Sequence, residues 1–270
     1  SAWAFVAGGV LAAQLGSIHA NRSGLLLGIY YGGPGLGITL SSLTLPLVGQ
    51  WAADIHWQHA WQLSWYAIAL MCVVLTLLLI QPVQSIPAVP PKKAGHSGTP
   101  IKSYLPILAG YFMFGVGYIG YMTFVVALLK QLGLASATLN LFYALLGVAV
   151  MASSRLWAKL LDHFKGGQSL AILNTLLGIA SFIPAFLAIY GAQMDGAAIV
   201  AIFFSGLLFG GVFLSAVAST TAFVKHNMPQ ADWVGGITVF TSIFAAGQIV
   251  GPTIVGWISD GQGGLAQGLV

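Results

Sequence analysis

Eight long apolar runs alternate with short polar breaks along this chain. They are Trp3–Ile18, Leu25–Val48, Trp61–Ile80, Tyr104–Leu129, Leu139–Leu161, Ser169–Tyr190, Ala197–Val224 and Val234–Ile258. An apolar helix of about 20 residues crosses a hydrocarbon core of roughly 30 Å. In lipid the backbone must satisfy its own hydrogen bonds, and a helix does this within one segment. A water-soluble bundle this apolar would need a polar shell elsewhere. With 5% charged and 58% hydrophobic residues, and no glutamate, there is none to supply it. The expected fold class is an all-α membrane protein, a polytopic transmembrane helix bundle with eight visible spans. Its first partner is the lipid bilayer. The formal charge of +4 then reflects topology, and nucleic acid is not an expected partner.

The basic residues give the orientation. Successive breaks carry Arg22; none near Asp54; Lys92, Lys93 and Lys102; Lys130; Arg155, Lys159 and Lys165; none near Asp195; Lys225; and none near Asp260. Alternate breaks hold eight of the nine, and Lys130 is the exception. Short cytoplasmic loops collect Lys and Arg, so these breaks are expected inside and Asp54, Asp195 and Asp260 outside. The expected location is a bacterial inner (plasma) membrane. The chain starts almost within a helix and ends on an apolar stub, Leu265–Val270, which reads as a fragment of a longer permease. Cys72, the single cysteine, lies in an apolar run and reads as packing.

The longest break, Gln81–Lys102, holds Pro82, Pro87, Pro90 and Pro91 among glycines and lysines. Such a composition makes a flexible, partly extended linker. The expected organisation is residues 1–81 as one bundle, 82–102 as linker and 103–270 as a second bundle. An internal echo supports two related halves. Gly28-Ile-Tyr-Tyr-Gly-Gly-Pro-Gly-Leu-Gly37 and Gly247-Gln-Ile-Val-Gly-Pro-Thr-Ile-Val-Gly256 each place Gly-Pro inside an apolar run that leaves a basic break. Glycine admits a neighbouring helix closely, and proline frees a carbonyl and kinks the helix. Gly33, Pro34, Gly251 and Pro252 are therefore the candidate hinge residues.

With this layout the chain resembles the major facilitator superfamily over nearly its whole length. The resemblance implies two six-helix halves joined by a central cytoplasmic loop. Gln81–Lys102 would be that loop, and the eight runs would be helices four to eleven. Three helices would then precede this sequence and one would follow. The Gly-Pro runs would be the fifth and eleventh helices, which carry an antiporter-type Gly-Pro motif in that family. The glycine four residues before the Gly-Pro glycine is present as Gly247 but replaced by Ile29 in the earlier run.

Arg155-Leu-Trp-Ala-Lys-Leu-Leu-Asp-His-Phe-Lys-Gly-Gly167 resembles that family's cytoplasmic loop motif after the eighth helix, with Asp162 as its acid. Lys159 and His163 stand where glycine and arginine are usual. The resemblance implies gating roles for Arg155 and Asp162. Physically, a carboxylate near the start of the following helix is favoured by the helix dipole. A basic loop that fixes topology explains the same residues equally well. The run Gly110-Tyr-Phe-Met-Phe-Gly-Val-Gly-Tyr-Ile-Gly-Tyr-Met-Thr-Phe124 is similar to the YbfB/YjiJ branch of the superfamily.

Substrate contacts are expected from polar groups at depth. At helical spacing Tyr111, Tyr118 and Tyr121 share one stripe, and Gly110, Gly117 and Gly120 a second. The glycines can admit a helix, while Tyr118 and Tyr121 either border a cavity or bond to neighbouring helices. Gln248 lies near mid-span, where an amide needs a partner, and Thr241 lies seven residues earlier on the same face. Tyr30 and Tyr31 complete the candidates.

Asp, Glu, Lys, Arg and His are absent from mid-membrane depth. A proton relay normally needs such a group, so proton coupling would rest on helices outside this sequence. The histidines sit in breaks or at their edges without a strong metal-ligand spacing, and Gly8-Gly9 and Gly166-Gly167 lack the Lys-Ser/Thr of a phosphate loop. Cofactors, metals and enzymatic chemistry are therefore not expected. The expected activity is secondary active transport of a small organic solute by alternating access. The alternative is a non-transporting membrane sensor or scaffold built on the same fold.

Overall fold

The computed structural model describes residues 23–84, 101–191, 194–229, 232–262 and 264–269. The expected first span, Trp3–Ile18, and the linker core 85–100 lie outside the described residues. The described residues are helical and contain no strand. In chain order the helices are α1 (Ser23–Asp54), α2 (Ala60–Gln84), α3 (Leu105–Gln131), α4 (Ser136–Leu156), α5 (Ala158–His163), α6 (Gln168–Ile189), α7 (Gly196–Asn227), α8 (Trp233–Ser259) and α9 (Gly264–Gly268). A 3₁₀ turn, Ile101–Tyr104, leads into α3.

Six of these helices are long and apolar enough to cross a membrane. α1 is the seventh long one, with 32 residues and a length of about 48 Å at about 1.5 Å per residue. Its glycines, hydroxyls and two prolines dilute its apolar character. What surrounds the bundle is equally apolar. Leu70 is 65% exposed, Ile249 76% and Trp257 79%, although each is part of a long helix. Side chains of this kind in such number suit lipid and not water.

Local chemistry sets the helix ends. Asp195 caps α7, its carboxylate accepting from the Ala198 N–H at 2.8 Å. Gly133 and Gly191 close α3 and α6 at φ +85° and +60°, a left-handed conformation that glycine adopts without penalty. One span is shorter than its apolar run. The run Leu139–Leu161 breaks at Trp157, which has φ −102° and ψ 2°. Its indole N–H donates to the Gly211 carbonyl at 2.7 Å, turning the chain so that α5 forms as a separate piece.

Packing runs through small residues. α4 lies between α1 and α7; α3 contacts α8 and α6; α6 also lies along α7; α2 packs on α1. Gly206 and Gly210 of α7 bring Phe142 and Leu146 of α4 against the α7 backbone. Gly247 and Gly251 of α8 do the same for Phe112, Val116 and Ile119 of α3. Between helices in lipid, close backbone approach replaces the hydrophobic drive that water would supply. The expected glycine stripe on α3 divides among three surroundings. Gly120 meets Val255 of α8, Gly110 faces Leu170 of α6, and Gly117 has open space beside it. Gly115, outside that stripe, makes the closest approach, to Phe244 and Gly247.

Buried hydroxyls join the same helices. Ser215 donates to the Ser153 carbonyl at 2.9 Å, so Ser153 donates to the Ser215 oxygen at 2.8 Å. Asn227 donates to the Lys165 carbonyl at 2.7 Å, and Tyr104 meets Phe223 edge-on at 5.4 Å. These contacts gather the end of α5, the end of α7 and the start of α3, and with them Lys159 on α5, Lys165 just after it, Lys225 on α7 and Arg155 in the last turn of α4 just before α5. Lys130 lies at the opposite end of α3, with the α6–α7 turn and the end of α1.

Candidate functional site

Among the described residues, the long helices build two cavities that bear on the candidate site. The first, about 430 Å³, lies within the part of the chain that follows the linker. Tyr118 and Tyr121 of α3 line it with Asn174 and Ser181 of α6 and Phe209 of α7. Tyr121 stacks on Phe209 at 3.9 Å between centroids, and Tyr118 stacks on Phe213 at 5.1 Å. The Tyr121 hydroxyl donates to Ser205, which in turn donates to the Ala180 carbonyl. Both rings are therefore fixed by packing before any solute arrives. Tyr111 is buried among Phe114, Phe240 and Phe244 and does not line this cavity.

The second cavity is larger, about 780 Å³, and joins helices from both sides of the linker. α1 contributes one face, Ile38, Ser41, Ser42, Leu45, Pro46, Gly49, Gln50 and Ala53, at the spacing of a helical stripe. α3 contributes Val126 and Lys130, and α4 contributes Ser136, Asn140 and Tyr143 among others. Toward the basic end this cavity is closed by a tight crossing. A Cβ on Gly35 would stand 2.6 Å from the Gly147 carbonyl oxygen and 2.7 Å from the Met151 nitrogen. Thr39 reinforces the crossing, donating to the Gly35 carbonyl at 2.9 Å and reaching the Ala144 carbonyl at 3.3 Å. α1 and α4 thus meet backbone to backbone in one half of their length and border an open volume in the other.

The family model described as uncharacterised MFS-type transporter YbfB matches residues 1–270. The chain belongs to this YbfB-type family of the major facilitator superfamily. It is a multi-pass membrane protein, and the family places it among membrane transporters of small molecules. No curated protein and no solved structure matches it.

Against that family the Gly-Pro residues take unequal places. In this YbfB-type chain Gly251 of α8 packs on Val116 and Ile119, and Pro252 is half-buried beside it. In α1, Gly33 has open space around it, and the contact glycine is Gly35, one residue after Pro34. Each proline leaves the carbonyl four residues earlier without its helical donor. Those carbonyls belong to Tyr30 and Gln248. Tyr30 is half-buried; the side chain of Tyr31 lies outside the described residues. Gln248 is half-buried and lines neither cavity. Thr241 is exposed and donates to the Ile237 carbonyl of its own helix at 2.8 Å.

The loop residues also differ in detail from their expected setting. Asp162 lies in the last turn of α5, six residues before α6 begins at Gln168. Asp162 therefore does not stand at the start of α6, where that helix's dipole would act on it. Arg155, in the last turn of α4, and Asp162 are both exposed.

Several cavity residues escape a search for polar groups at mid-depth. Asn140, Gln50 and Lys130 stand toward one end, where polarity is unremarkable on its own. Two signals were available: Lys130 broke the charge alternation, and Ser41, Ser42, Gly49 and Gln50 form a small, polar stripe on α1.

Proposed function

We propose that this protein is a secondary transporter of a small organic solute, which it moves by alternating access between two bundles joined by the 82–102 linker. In this reading the cavity shared by α1, α3 and α4 holds the solute. Its construction from both sides of the linker is the observation that supports this choice. Relative motion of the two bundles changes such a site directly, whereas the Tyr118–Tyr121 cavity is built by the second bundle alone. Tyr118 and Tyr121 then serve to hold α3 against α6 and α7.

With the basic breaks in the cytoplasm, the Gly35–Gly147 crossing is the closed inner side and the Lys130 end is open outward. Alternation would release that crossing and bring the Gln50 and Asn140 ends together. Gly33, Pro34, Gly251 and Pro252 would accommodate the bending.

Thiol accessibility tests this. Single cysteines in place of Asn140 and Met151, on opposite sides of the crossing, are treated with an impermeant reagent from either face of sealed vesicles. Their reactivities should trade, one falling as the other rises, when solute or a transmembrane gradient is applied. A pattern fixed under every condition overturns alternating access.

A further inference from the structure

The lining of the two-bundle cavity carries a chemical preference. Among the described residues that line it, Lys130 is the only charged one and none is a carboxylate. Asp54 ends α1 one residue beyond the lining Ala53 and is not itself among the described lining residues. Three of the four lining hydroxyls are already committed as donors. Ser41 donates to the Ile38 carbonyl at 3.0 Å, Ser42 to the Thr39 carbonyl at 2.8 Å and Tyr143 to the Met122 carbonyl at 3.0 Å. What they can still offer a solute is acceptor oxygen. Among the described residues, the lining donors without a hydrogen-bond partner are the Lys130 ammonium, the Ser136 hydroxyl and the side-chain amides of Gln50 and Asn140. Ile38, Leu45, Val126 and Leu139 supply apolar wall.

We infer that this cavity takes an amphipathic organic acid, its carboxylate on Lys130 with Asn140 and Gln50 and its own hydroxyl or N–H on Ser41 and Ser42. This rests on the reading of the cavity as the solute site and adds the substrate class to it. A charge-assisted hydrogen bond outweighs a neutral one, and Lys130, exposed at the open end of the cavity, is the one cation among its described lining residues, so it selects the anion. The position of Lys130 gives independent support. It is the one basic residue that opposes the charge alternation, at the end where the bilayer rule disfavours it. The dipole of α3 would welcome a cation in its last turn, which is a competing structural explanation. The two explanations part in experiment.

The purified chain, in nanodiscs of zwitterionic lipid, is titrated with 3-phenyllactate, with the neutral 3-phenyllactamide and with the cation phenethylamine. Binding is read from tryptophan fluorescence and from ligand-dependent thermal stabilisation. The acid should bind and the amide and amine should bind far more weakly. Lys130→Met should weaken the acid about tenfold or more, and Lys130→Arg should retain it. Adding anionic lipid should leave acid binding in place; its loss would assign the cavity to a lipid headgroup and overturn the proposal. So would equal binding of acid, amide and amine, failure of the acid to bind, or a Lys130→Met variant with reduced stability and unchanged acid affinity. Equilibrium binding needs no bundle motion. Acid-selective binding without the cysteine trade would sink alternating access alone, and the trade without acid selectivity would sink the substrate class alone.

Discussion

Ser205 donates its hydroxyl hydrogen to the Ala180 carbonyl at 2.7 Å, and that carbonyl is the one Pro184 leaves without a helical donor. The neighbouring helix repairs the gap that proline opens in α6. The same hydroxyl accepts from Tyr121 at 2.9 Å, so α3, α6 and α7 share one buried polar node. Ser205 and Tyr121 are both fully buried. Ser205→Ala strands two polar groups and should destabilise the protein by about 1–3 kcal/mol. Tyr121→Phe removes one donor and leaves Ser205 bonded to Ala180, so its effect should be smaller. Thermal unfolding in one detergent measures both. Equal melting of Ser205→Ala and the parent would show that the node contributes nothing.

Gly35 and Gly33 are separated by one proline and predict opposite responses. Alanine at Gly35 places its methyl against the backbone of Gly147 and Met151, which cannot rotate away. The helices must part, at a penalty of about 1–3 kcal/mol. Alanine at Gly33 meets nothing within 4 Å. It should be neutral or stabilise α1 by about 0.5–1 kcal/mol through helix propensity. Spin labels on the exposed Leu36 and Val148 should move apart in Gly35→Ala and not in Gly33→Ala. An unchanged distance in Gly35→Ala would contradict the backbone contact.

How far the sequence was readable depends on what each residue is surrounded by. Helix existence followed from apolar length alone, since lipid asks the same of every segment, and most described runs formed helices within a few residues of their expected ends. α1 runs six residues past Val48, to Asp54, and the run containing Trp157 breaks early: its indole finds the Gly211 carbonyl across the bundle, a tertiary contact no local pattern announces. The glycines show the limit more sharply. Gly33 and Gly35 are indistinguishable by composition, and only the partner helix decides which touches it. Lys130 was visible as an anomaly of charge, but its place beside Asn140 and Gln50 needed α1, α3 and α4 assembled together.

Gln248 and Thr241 test the site by exclusion. Neither lines the two-bundle cavity, and the Thr241 hydroxyl is spent on its own helix. Thr241→Ala should change stability by about 0.5 kcal/mol or less. Gln248→Leu should leave acid binding as it is, because no atom of Gln248 meets the solute in this arrangement. Titration of both variants with 3-phenyllactate checks this. A lost affinity in Gln248→Leu would move the site toward α8.

The orientation of the bundle is open to direct labelling. Single cysteines at Lys165 and His226 should react together from one face of the membrane, since Asn227 ties those two turns to each other at 2.7 Å. Cysteines at Gly133 and Asp195, on the turns after α3 and before α7, should react from the other face. Cys72 is exposed on α2 and must first be replaced by serine to clear the background. In intact cells an impermeant reagent should reach the second pair and spare the first, which would set Lys130 at the outer mouth of the cavity. Reaction of the first pair instead would invert the protein. The cavity would then open to the cytoplasm, and an organic acid would be collected from inside the cell.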